Sequence, residues 1–348
     1  MRTDIHQHLW TEQLLDALAR RSELPFVRSE QGLTVLFLAG ERPYVIDLDS
    51  EAATQRAELV RHDGLDRALV CLSSPLGIES LPRASATPLI DAYLDGALAL
   101  GEPFAVWAPL ALETLDPCDV ERALDRGCVG ISLPAGALAG IDALARVAPA
   151  LARIQRHGAP LLIHPGPAAR LPPQEASLAD PLWWPALTRY VAEMQAAWFA
   201  FVCAGRRLFP ELRVIFSMLA GLAPLQAERL LSRGGPAALE HDPLLFYDTS
   251  SYGPHAVELL ERAVSAEQIV YGSDRPVVDP HANDVHGALD WELLSENVER
   301  ALYSRPDPEL TAGTEHATPR NRARPPATAP RRSGTRPTRV AVLGRAVR

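Results

Sequence analysis

Short, almost continuously apolar runs separated by longer stretches of helical spacing make up most of this chain. In Ala68–Leu72, Phe104–Ala108, Val129–Leu133, Pro160–His164, Leu212–Phe216, Leu244–Tyr247 and Gln268–Gly272 apolar residues follow one another with little interruption, as in strands buried on both faces. Between them, Pro88–Leu100, Ile141–His157, Trp184–Arg206 and His255–Val264 repeat apolar residues every three to four positions, the spacing of helices packed on one side. Glu12–Arg21 does the same with Leu14, Leu15 and Leu18. An N-terminal strand within Met1–Trp10 brings the strand count to eight. Strands that alternate with helices call for a parallel sheet covered on its outer face, and eight such units predict an α/β fold, a (β/α)8 TIM-like barrel. A doubly wound open sheet is the rival, but the Gly-rich phosphate turn that usually follows its first strand is missing. Leu33–Leu38 and Tyr44–Leu48, joined by Ala39-Gly-Glu-Arg-Pro43, read as a hairpin, a small β insertion at about 30–50 over the mouth of the barrel.

Composition narrows the class without naming a chemistry. The chain has 348 residues, 47% of them hydrophobic, enough for a large core, and no run of 18 or more apolar residues. With no secretory pattern at its start either, a cytoplasmic protein away from membranes is expected. Cys71, Cys118, Cys128 and Cys203 are too widely spaced for a zinc knuckle and read as reduced thiols. The net charge of −9 conceals a basic end, since from Ser304 onward ten arginines stand against three acidic residues. That segment mixes Pro, Arg and small residues and cannot bury a core, so the expected organisation is a barrel over 1–303 and a disordered tail over 304–348. Without interleaved aromatics and beside an acidic body, the tail does not argue for nucleic acid.

The informative polar residues fall at the ends of the predicted strands. In an extended first strand Asp4, His6 and His8 share one face, which lets two imidazoles converge on one cation. His164 closes the fifth strand, Asp248 the seventh, and Asp274 follows the eighth. Active sites of this fold collect at the C-terminal strand ends, so His6, His8, His164 and Asp274 form a candidate N/O shell for one divalent metal, zinc first, with manganese, iron or cobalt as other fits. Arg275 has two readings, a fork for a substrate carboxylate or a structural salt bridge. Trp183-Trp184-Pro185 and the apolar helix after them read as a homodimer surface or as the lining of the mouth.

Asp4-Ile-His-Gln-His8, Ile163-His-Pro-Gly166 and Tyr271-Gly-Ser-Asp-Arg-Pro276 resemble the amidohydrolase superfamily, in particular its amidohydrolase-related group with the aminocarboxymuconate-semialdehyde decarboxylase-like enzymes. Tyr247-Asp-Thr-Ser250 and the β insertion are similar to that group too. The resemblance implies a distorted barrel with one metal on His6, His8, His164 and Asp274. It also implies a small-molecule substrate. The chemistry expected is attack of metal-activated water on an amide, lactone or ester carbonyl, with Asp274 accepting the proton; non-oxidative decarboxylation of an aromatic or unsaturated acid is the alternative. One departure stands out: where the family carries a histidine after the sixth strand, Val214-Ile-Phe-Ser-Met218 places a thioether, which takes no proton at neutral pH. Asp274 would then act as sole base, His255 or His281 would stand in, or the barrel would bind metal without turnover.

Overall fold

The computed structural model describes residues 1–169, 180–235, 242–280 and 290–303. The strands are β1 (Thr3–Gln7), β2 (Phe26–Glu30), β3 (Leu33–Phe37), β4 (Tyr44–Ile46), β5 (Arg67–Val70), β6 (Phe104–Pro109), β7 (Gly130–Pro134), β8 (Leu161–His164), β9 (Val214–Phe216), β10 (Leu245–Asp248) and β11 (Ile269–Val270). The helices are α1 (Glu12–Ala19), α2 (Ala53–His62), α3 (Arg83–Ala99), α4 (Cys118–Asp125), α5 (Ile141–Arg156), α6 (Trp184–Leu187), α7 (Arg189–Ala200), α8 (Arg206–Leu208), α9 (Ala227–Ser232), α10 (Pro254–Ala263) and α11 (Trp291–Leu302). β1 and β5 through β11 form one parallel sheet in chain order, each predicted barrel strand finding its place. The ends of the sheet meet where Ile5 N–H donates to Tyr271 O at 3.0 Å, Asp274 N–H to His6 O at 2.9 Å and His8 N–H to Arg275 O at 2.7 Å, which brings the eight strands into a nearly closed TIM barrel.

Two packed layers follow from the pleat. Ile5, Leu69, Trp107, Leu162, Ile215, Phe246 and Val270 point inward and fill the barrel. Ala68, Val70, Ile131, Ile163 and Tyr247 point outward against the helices. The helices supply matching stripes: α5 buries Leu144, Val147, Leu151 and Ile154, spaced three to four apart, and α1 buries Leu14 and Leu18 behind a Thr11 cap that accepts from Leu14 N–H. Leu182, Trp183, Trp184 and Leu187, where a subunit surface or a mouth lining was expected, are exposed. Among the described residues no helix is long and apolar enough to cross a membrane. Residues 170–179, His281 and the segment from residue 304 lie outside the described residues.

Three features depart from the sequence reading. The insertion is a three-stranded antiparallel sheet, with β2 pairing to β3 through the two-residue turn Gln31-Gly32. Both turn residues have positive φ, 51° and 83°, the geometry that favours asparagine before glycine. Gln31→Asn is therefore expected to stabilise the protein by about 0.5–1 kcal/mol, read as a shift in urea midpoint with unchanged slope. Helix α2 carries a buried Arg56 where a stripe would put an apolar residue, which is why its periodicity is weak. Finally, β1 contains one extra residue: Asp4 lies opposite Ala68 but Gln7 opposite Val70. This bulge corrects the expected alternation, since Asp4 does not share a face with His6 and His8. Its carboxylate turns back to accept from His6 N–H at 3.0 Å, Gln7 Nε2 at 2.8 Å and Ser273 N–H at 3.1 Å.

Candidate metal centre

The bulge in β1 and the end of β8 bring three imidazoles to one point. The ring centroids of His6, His8 and His164 are 5.1, 4.9 and 5.0 Å apart, and each pair of rings is near perpendicular, at 89°, 85° and 85°. All three are buried. Each Nδ1 is engaged on the outside of the cluster. His8 Nδ1 donates to Cys71 O at 2.9 Å and His164 Nδ1 to Pro165 O at 2.8 Å, and a carbonyl can only accept, so those nitrogens carry the protons. His6 Nδ1 meets Asp248 Oδ2 at 2.8 Å. Tautomers fixed in this way leave the Nε2 lone pairs for the centre, the arrangement by which an outer hydrogen bond orients a metal-binding imidazole.

Asp274 joins from the rim. It holds a positive φ of 61°, and Oδ1 lies 3.0 Å from His8 Nε2 and 3.6 Å from His6 Nε2. Buried His6 Nε2 has no hydrogen-bond partner. An unsatisfied ring nitrogen between two further imidazoles and a carboxylate is what a divalent cation would satisfy, so the donors present fit such a group. The electrostatics point the same way. Burial works to raise the Asp274 carboxyl, but the hydrogen bond from His8 and the charge of the imidazoles hold it down at about 2. Burial, with His6 and His8 beside it, pushes His164 well below the usual imidazole range and keeps it neutral. Burial also lowers His8, yet Cys71 and Asp274 bring it up to about 9, a charge that a cation would replace.

Asp248, at the end of β10, ties the site to the next loop. One oxygen holds His6; the other accepts from Met218 N–H and Ser250 N–H, both at 2.9 Å, and from Ser250 Oγ. Gly272 makes room for it, since a Cβ there would lie 2.9 Å from Asp248 Cγ. Met218 starts a left-handed turn in which Met218, Leu219, Ala220, Gly221 and Leu222 have φ between 45° and 61°. The four L-residues in this turn cost about 1–2 kcal/mol each, so packing on both sides must hold it. Gln195 Nε2 donates to Gly221 O at 2.7 Å from α7, and Asp248 holds the other end.

The remaining expectations sort by position. His255 is exposed on the first turn of α10 instead of buried with the imidazoles. Arg275 is engaged by Asp63, Nε to Oδ2 at 3.0 Å, the structural salt bridge of its two readings. Two residues the sequence reading assigned no role belong to the site. Arg56 donates from Nη1 to His8 O at 2.9 Å and to Glu51 Oε2 at 2.7 Å, and from Nη2 to Gln7 Oε1 at 2.8 Å, bracing β1 from behind. Cys71, just past β5, touches His8 Nδ1 at 3.6 Å through Sγ. Burial tends to raise its thiol, but His8 and His6 bring it down to about 7. The parity of Leu69 and Cys71 in Ala68–Leu72 was the available signal, because it turns both side chains into the barrel.

Glu79 is also buried, with Oε1 accepting from Ser74 Oγ at 2.5 Å and Oε2 unpartnered. Burial pushes its carboxyl up from 4.5 to about 7. Between those values the unfolded chain releases the proton while the folded chain keeps it, so this group makes stability fall as pH rises from about 4.5 to about 7, with no further loss above. Glu79→Gln, which keeps an acceptor for Ser74, is expected to flatten the melting temperature across that interval. An unchanged pH profile would contradict the assignment.

Comparison with known proteins places this geometry. A family model described as Amidohydrolase matches residues 3–305. No curated protein matches the chain. Among solved structures, IDCase of Metarhizium anisopliae in apo form superposes with a TM-score of 0.66 at 17% identity, covering 90% of this chain and 94% of that one. A 5-carboxyvanillate decarboxylase from Novosphingobium aromaticivorans with bound manganese gives 0.62 at 14%, covering 87% and 97%. The 2,6-dihydroxybenzoate decarboxylase from Rhizobium gives 0.58 at 14%, covering 86% and 98%.

Proposed function

Because the chain belongs to the amidohydrolase family, we propose that it is a metal-dependent enzyme that removes CO2 from an aromatic or unsaturated carboxylic acid without a change of oxidation state. The observation that carries the metal-dependent part is the set of three imidazoles whose outer nitrogens are engaged and whose inner ones converge beside Asp274. Likeness to decarboxylase structures, which favours decarboxylation over the hydrolysis expected from sequence, supports the rest.

In this reading His6, His8, His164 and Asp274 hold one divalent cation, zinc by the weight of imidazole donors. Bound there, a divalent cation would supply Lewis acidity toward the carboxylate of an acid substrate. The chain's own groups then set the limits. Asp248, Cys71 O and Pro165 O keep the three imidazoles pointed inward through turnover. Loss of CO2 leaves a carbanion that needs a proton, and Met218 carries none. Asp274, held at about 2, acts as a base at neutral pH, so the proton arrives with water and turnover is slow.

That same ionised Asp274 favours a second reading, hydrolysis of an amide, lactone or ester, in which a base is required and a carbon acid is not. Metal-loaded protein incubated with hydroxylated benzoic acids, unsaturated diacids, lactones and amides separates the two. Metal-dependent release of CO2 is the expected result. Ring opening or amide cleavage without CO2 would replace the first reading with the second. Full metal occupancy with neither reaction would sink both and leave a binding barrel.

A further inference from the structure

We propose that Cys71 Sγ is a ligand of the same cation, entering from the barrel floor to make a three-nitrogen, one-sulfur shell with His6, His8 and His164. The inference rests on the metal-binding reading of the site. Three observations carry it. Ligand atoms of His6, His8, Cys71 and His164 all lie within 4.8 Å of one another. Tetrahedral zinc, with Zn–N near 2.0–2.1 Å and Zn–S near 2.3 Å, places its donors roughly 3.3–3.8 Å apart, so the four groups draw together around the ion, Sγ starting 3.6 Å from the His8 ring at Nδ1. The thiol is buried among Ile5, Leu69 and Trp107 inside the barrel, so it reaches the imidazoles from the side opposite the rim, where Asp274 stands partly exposed. Within this group His6 Nε2 is the buried ring nitrogen left without a partner.

A sulfur donor changes which cation the site prefers. Thiolate is soft and suits zinc and cobalt, whereas manganese seeks oxygen. Asp274, at the open rim, is then the member that substrate or water can displace, while the four inner donors keep the ion. As the metal–sulfur bond forms, the thiol gives its proton to water. The sequence signal is a cysteine at the end of the second barrel strand, four residues before Pro75 in Cys71-Leu-Ser-Ser-Pro75. This shell differs from the manganese-bound 5-carboxyvanillate decarboxylase in the ion it would choose.

Cobalt(II) substitution reads the sulfur directly. The full chain, stripped with a chelator and titrated with cobalt, is expected to bind about one equivalent and to show a near-ultraviolet sulfur-to-cobalt charge-transfer band with intense visible bands of tetrahedral coordination. Cys71→Ser is expected to bind cobalt without that charge-transfer band, and a Cys118→Ser, Cys203→Ser variant, lacking the exposed thiols, to keep it. In competition, Cys71→Ser is expected to narrow the preference for zinc over manganese by about 10–100-fold. Should Cys71→Ser fail to fold, the native spectrum still decides. One equivalent of cobalt with no charge-transfer band overturns this proposal and leaves the metal-binding reading intact. No bound cobalt overturns both, and a band lost only in the Cys118, Cys203 variant assigns it to the surface and also overturns the proposal.

Discussion

Replacing His6 and His8 together by alanine is expected to take the protein from about one bound divalent metal per chain to none, and its metal-dependent activity to background. Both side chains come from one bulged strand, and together they supply two of three imidazoles. His164 and Asp274, even with Cys71 beside them, keep a single imidazole and offer too few donors to hold an ion against water. The substitution also strips Asp248 Oδ2 of its partner at 2.8 Å and Asp274 Oδ1 of its partner at 3.0 Å. Taking the imidazole from buried Asp248 costs at most about 3–5 kcal/mol, because its other oxygen keeps Met218 N–H, Ser250 N–H and Ser250 Oγ. Folding and binding therefore need separate readouts. Circular dichroism reports the barrel. Metal analysis after gel filtration, with the rise in melting temperature on adding zinc, reports the site, since a ligand that binds only the folded state stabilises it by RT ln(1 + [L]/Kd). A folded double variant that keeps a full equivalent of zinc and its thermal shift would rule the site out.

Sequence made most of this architecture legible, because parallel strands buried on both faces leave an unbroken apolar signature and helices a periodic one. Seven of the eight barrel strands lie where that signature put them, and the first where the alternation of Asp4, His6 and His8 did. His6, His8, His164 and Asp274 converge because the fold gathers the C-terminal ends of its strands, and topology turns four distant residues into neighbours. Other features had no signature to read. An extra residue in β1 does not disturb the pattern of apolar positions, yet it rotates Asp4 away from the imidazoles. Arg56 interrupts the stripe of α2 because it serves β1 rather than the core. The left-handed turn after β9 is hardest to foresee, since Leu219, Ala220 and Leu222 adopt φ values usually left to glycine. Only tertiary anchors, Asp248 at one end and Gln195 on α7 at the other, explain why they do. Proline-rich sequence past residue 303 and His281 fall outside the described residues.

Met218→His is expected to raise turnover by about 10²–10⁴-fold, the contribution of one positioned general acid. Position 218 suits the change. Its φ of 45° lies in the left-handed region, where histidine is enriched and a long apolar side chain is not. What fixes the residue is its backbone N–H, bonded to Asp248 Oδ1 at 2.9 Å and Ser250 Oγ at 3.0 Å, and a substitution leaves that N–H in place. Asp248 then separates residue 218 from His6 by a single carboxylate, so a new imidazole starts from a backbone already tied to the cluster. Decarboxylation consumes a proton at carbon, so the gained activity belongs to the imidazolium and is lost as pH rises through about 6.5. Met218→Leu, close in volume and without a titrating group, is the control and is expected to leave the rate within a few-fold of native. Comparing kcat and its pH profile for the three proteins decides the matter. A Met218→His variant no faster than native and without the new limb, beside a Met218→Leu variant that has lost activity, would show that the thioether itself serves the reaction and that no proton carrier is missing.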